Sequence, residues 1–147
     1  MAANINPIFP VTPYMVSANL SAVTACTTRA PTLTANLAAA NIVQLTTTST
    51  NGRRVDRITV YASSTSITAP TASQLVGIWA WDGTTAYLVD EIVVSVVTPS
   101  TTVTAYSGSK TYDDFVMPAA FKLYVSTTVT TTAATTALTV TLYGGDY

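Results

Sequence analysis

Histidine is absent from the 147 residues, and cysteine occurs once, at Cys26. Without imidazole there is no Ser–His or Cys–His nucleophile pair, no histidine metal ligand and no histidine pH switch. One cysteine allows neither an internal disulfide nor a thiolate zinc cage. No metal, nucleotide or redox cofactor is therefore expected. Charge is scarce as well. Six basic and seven acidic residues leave a net charge of −1 and a charged fraction of 9%, where a soluble domain usually carries about 25%. That balance gives no electrostatic footprint for nucleic acid. Long apolar runs are also missing, because stretches such as Ile92–Val97 are broken by Ser or Thr, whereas a spanning helix needs about 20 apolar residues. Residues Met1–Asn6 show no basic region ahead of an apolar one, so neither a secretory signal nor a membrane partner is expected.

What is present is threonine, 30 residues of it, within a chain that is 48% apolar. A chain this long buries roughly 68% of its unfolded surface, enough for one core and one domain. Few charges on an apolar chain fit two situations. Either Thr and Ser supply the polar surface of a lone domain, or partners cover much of it.

Prolines recur at positions 7, 10 and 13 in Asn6-Pro7-Ile8-Phe9-Pro10-Val11-Thr12-Pro13-Tyr14. Each proline fixes φ and biases its predecessor to extended geometry. Residues 1–14 therefore read as an extended arm ahead of a domain over 15–147. Its apolar side chains need cover, so Pro7, Ile8, Phe9, Pro10, Val11, Pro13 and Tyr14 are expected to bind a neighbouring subunit.

After the arm the apolar period is two. Leu138, Val140 and Leu142 alternate with Thr139, Thr141 and Tyr143; Phe121, Leu123 and Val125 alternate with Lys122, Tyr124 and Ser126; Ile58 and Val60 alternate with Arg57, Thr59 and Tyr61. Similar runs cover Ala22–Thr27, Ile42–Thr47, Leu75–Trp81 and Tyr87–Val97. Asn51-Gly52 and Asp82-Gly83 read as hairpin turns, and Pro70, Pro99 and Pro118 interrupt where a central strand would lose a donor. The Ala-rich stretch Leu33–Ala40 reads as a loop or single turn. Seven or eight short strands make an all-β, single-domain antiparallel β-sandwich or jelly roll. The Thr-rich tracts show no fixed repeat, as an ice-binding array requires, and no internal proline, as a mucin-like stalk requires.

Candidate chemistry is sparse. Asp90-Glu91 and Asp113-Asp114 are adjacent strand residues that point to opposite faces, so a glycosidase pair would have to come from different strands. Trp79 and Trp81 share one face, either stacking on sugar rings or, as size favours, with Trp79 in the sandwich core and Trp81 over its edge. Arg53, Arg54 and Arg57, with Asp56 between them, read as a salt-bridged rim contact with a protein partner. Cys26 reads as a small buried hydrophobe.

Several segments, in order along most of the chain, resemble small structural proteins of tailed bacteriophages and prophages. They are Asn6–Pro13, Asn51–Ile58, Leu88–Ile92, Met117–Val125 and the ending Tyr143-Gly144-Gly145-Asp146-Tyr147. One departure is Ala119-Ala120, where that group tends to have Ala-Gly before an aromatic. The resemblance implies a virion component on the outer surface of the capsid, a head decoration (cement) protein that bridges subunits of the major capsid protein. It also implies association with its own copies, as a homotrimer. The competing readings are a receptor- or glycan-binding module on a head or tail fibre, and a carboxylate hydrolase.

Overall fold

Branched apolar residues alternating with threonine suit a pleated surface buried on one side, and these runs set the architecture. The computed structural model describes residues 12–33, 37 and 40–147. Pro7, Ile8, Phe9, Pro10 and Val11 of the expected arm lie outside the described residues, as does most of 34–39. Among the described residues there are nine strands: β1 (Thr12–Leu20), β2 (Thr32–Leu33), β3 (Ile42–Gln44), β4 (Arg53–Ala62), β5 (Gln74–Trp81), β6 (Thr85–Val94), β7 (Ser107–Met117), β8 (Lys122–Thr127) and β9 (Leu138–Asp146). They form two antiparallel sheets, β1-β9-β4-β7 and β2-β6-β5-β8-β3, packed face to face as a β-sandwich.

The main core lies between the sheets. Ile58, Val60, Leu138, Val140 and Leu142 of the first sheet are fully buried against Val76, Ile78, Leu123 and Val125 of the second. Each such side chain stabilises the fold by roughly 1.5–3 kcal/mol relative to exposure. β9 is an inner strand of its sheet, with Val140 opposite both Ala18 of β1 and Val60 of β4.

Three expectations are corrected here. Ala22–Thr27 forms no strand; it crosses as a loop, held by Cys26 N donating to Thr127 O at 2.8 Å and Thr24 N to Ala40 O at 2.6 Å. Asn51-Gly52 is not a hairpin, because β3 and β4 belong to different sheets; Gly52 turns the corner at φ +99°. Pro13 and Tyr14 are strand residues paired with Gly145 and Gly144, since an edge strand tolerates a proline that lacks a donor. By contrast Asp82-Gly83 does close the β5–β6 hairpin. Gly83 takes φ +109°, and Asp82 Oδ1 accepts from the amides of Thr84 and Thr85 at 2.8 and 2.7 Å. These two bonds hold the Asp82 carboxyl below its usual pKa.

A second, smaller core lies on the outer face of the five-stranded sheet. Val76, Ile78 and Ala80 point inward, so Trp79 points out, where Cys26, Leu37, Ile42 and Ala86 bury it. Its indole N–H donates to Ser126 Oγ at 2.8 Å. Trp79 is thus buried as expected, but beneath the loop after β1 rather than in the sandwich core. Trp81 stays half-buried at the edge, against Tyr124 at 6.3 Å between ring centroids.

Candidate interaction surface

The three arginines of 53–57 do not converge. Arg53 is 1% exposed and all three nitrogens of its guanidinium bond within the domain. Nε and Nη2 donate to Asp146 Oδ1 and Oδ2 at 2.5 and 3.0 Å, Nη1 donates to Thr47 O at 3.1 Å, and the Tyr14 ring lies 3.5 Å away. Expected at the rim, Arg53 is instead an internal clasp, because the β4–β9 register sets Asp146 directly opposite it. Tyr14 of the expected arm belongs to the same clasp. Arg54 pairs with Asp56 at 2.6 Å on the surface, which raises its pKa. Arg57 lies over the Tyr143 ring at 4.5 Å and is exposed.

The clasp joins segments that carry the sequence resemblance. Tyr147 N donates to Gly52 O, and Asn51 Nδ2 donates to Tyr147 O, both at 3.2 Å. A Cβ on Gly144 would collide with the Arg54 carbonyl, so the close approach of β4 and β9 requires glycine there. The departure at Ala119-Ala120 is equally physical. Pro118–Phe121 forms a turn closed by Phe121 N to Pro118 O at 3.3 Å, and Ala120 sits in it at φ +67°. A turn of that kind favours glycine at its third position.

The acidic pairs split as adjacent strand residues do. Asp90 turns toward β7, accepting from Lys110 Nζ at 2.6 Å and Tyr112 Oη at 2.8 Å, while Glu91 pairs with Arg29 at 2.9 Å. Burial alone would raise the Asp90 pKa; the Lys110 ammonium and the Tyr112 hydroxyl outweigh it and leave the carboxyl lowered. Tyr112 is raised, first by burial and then by Asp90. Asp113 and Asp114 are both exposed. Among the described residues no three His, Cys, Asp or Glu side chains gather to hold a metal, and no helix is long and apolar enough to cross a membrane. A recess of about 70 Å³ beside Cys26 is lined by Arg29, Trp79 and Glu91. Another, of about 250 Å³, opens between the loops at one end of the sandwich, lined by Ile67, Pro99, Val103 and several serines.

Exposed apolar side chains are the surface's strongest feature. Met15 is 67% exposed, Ile67 70%, Val93 64% and Val96 61%. Nothing in the sequence marks them, since each lies in a run that alternation or loop composition explains. No protein-family model matches the chain, and no curated protein or solved structure is similar to it.

Proposed function

We propose that the protein is a non-enzymatic virion structural protein, a capsid decoration protein that binds the outer surface of a phage head shell. Its partners are the major capsid protein and its own copies. The observation that carries this reading is the pairing of exposed Met15, Ile67, Val93 and Val96 with only 13 charges on the whole chain. A lone soluble domain usually carries a well-charged surface, so large apolar side chains in solvent on so uncharged a chain fit a surface that partners cover. The resemblance of the Asn51–Ile58 and Tyr143–Tyr147 segments to phage structural proteins supports the same reading, and these segments meet in the Arg53–Asp146 clasp at the start of β1.

We read the strand order as a jelly roll. The pairs β1–β9, β3–β8, β4–β7 and β5–β6 are nested in sequence, and jelly rolls occur among viral capsid and lectin domains. The glycan-binding alternative draws on the same architecture but loses its pair of indoles, since Trp79 is 1% exposed. Incubating purified protein with head shells that lack it, followed by sedimentation and a heat-stability assay, tests the proposal. Co-sedimentation with raised shell stability is expected. Binding to glycans or cells without binding to shells favours the alternative.

A further inference from the structure

The two sheets end in four edges, and three of them carry the devices that discourage another strand from pairing. Charges, bulges and shortness are such devices. β7 places Lys110, Asp113 and Asp114 on its edge, and its register with β4 breaks between Val55 and Arg57. β6 carries Asp90 and Glu91, is irregular opposite Ile78/Trp79, and is partly covered by β2. β3 is three residues long.

Beyond Pro13, which lacks a donor and blunts only its first two residues, β1 carries none of these guards. It runs nine residues, Thr-Pro-Tyr-Met-Val-Ser-Ala-Asn-Leu, with no charge and in unbroken register with β9. Among the described residues no loop backbone pairs with it. Alternate residues of an antiparallel strand direct N–H and C=O away from the partner they already have, so this edge presents a row of donors and acceptors. Thr12, Pro13, Met15, Ser17 and Asn19 are all exposed.

We propose that β1 is the docking edge for β1 of a second copy, the two strands running antiparallel about a two-fold axis near Val16. An uncharged strand is self-complementary: pairing it with itself opposes no like charges, and the same patch serves both partners. The two four-stranded sheets become one of eight, and Met15 faces Ser17 of the other copy. Main-chain hydrogen bonds supply the contact, as in other strand-addition interfaces. A two-fold pair differs from the three-fold arrangement implied by the resemblance, and mass in solution separates them.

The test is sedimentation of the full chain over a wide concentration range, with amide hydrogen exchange read on dilute and concentrated samples. A dimer is expected, with β1 amides gaining protection as it forms. Met15→Lys places two ammonium groups near each other across the axis and should weaken the dimer at least about tenfold. Thr101→Lys, at an exposed loop site away from this edge, should leave it unchanged. If Met15→Lys disturbs the fold, Asn19→Lys reads the same edge. A monomer at every concentration, a trimer, or a dimer indifferent to both edge lysines overturns the proposal. Shell binding is measured separately, so failure here leaves the capsid reading standing.

Discussion

Arg53 and Asp146 lie 93 positions apart in sequence and form a two-pronged ion pair, with the arginine almost wholly buried and the carboxylate 29% exposed. The pair fixes β4 against the last residues of β9, and the Tyr14 ring closes over it. Removing one member of a buried pair strands the other charge, which costs more than replacing it by an apolar group. Asp146→Ala should therefore lower stability by ~3 kcal/mol, and Arg53→Met by clearly less, in chemical denaturation. Equal losses would mean that the charge pairing contributes little.

Ala120→Gly should raise stability, by about 0.5–1 kcal/mol. Relief of a left-handed alanine is worth roughly 1–2 kcal/mol, and the added freedom of the unfolded glycine takes back part of it. A lower midpoint in thermal or urea unfolding would contradict the φ of +67° found there.

Residues 1–11 and residues 12–14 should behave differently on deletion. Removing 1–11 should leave a folded domain that no longer binds shells. Extending the cut through Tyr14 also uncovers Arg53 and should lower the unfolding midpoint. A domain lacking 1–11 that decorates shells normally would refute the binding role of Pro7–Val11.

The strands whose alternation was legible are those with one face on the core, such as Ile58–Val60 and Leu138–Leu142. β7 escaped because it is an edge with exposed residues on both faces and two adjacent aspartates. Trp79 was legible as buried but not as to where. Parity turns it outward, and the loop carrying Cys26, together with Leu37, Ile42 and Ala86, supplies the layer that covers it. Arg53 looked like a rim charge because its partner lies at the far end of the chain.

Cys26→Ser should cost ~1–3 kcal/mol, since a hydroxyl would enter the small outer core without a good partner. The thiol sits 5% exposed beside Trp79, with only a 3.9 Å contact to Thr28 O. No loss of shell binding should accompany it, as measured by denaturation and co-sedimentation.

Stability should fall at both pH extremes through the Asp90–Tyr112 contact. A lowered Asp90 contributes stability above the ordinary carboxylate pKa near ~4, lost as pH drops through the folded value. A raised Tyr112 contributes fully below pH ~10, and its share is lost as pH rises beyond that. Tyr112→Phe should flatten the alkaline limb of a stability–pH curve. An unchanged limb would place the alkaline loss elsewhere.

The most direct test of the capsid reading is a reconstruction of any virus particles that the genome encoding the chain gives rise to. Density for the two-sheet sandwich is expected at regular sites on the outer head surface, touching the major capsid protein. Particles whose heads are bare, with the protein absent or confined to tail fibres, would contradict it.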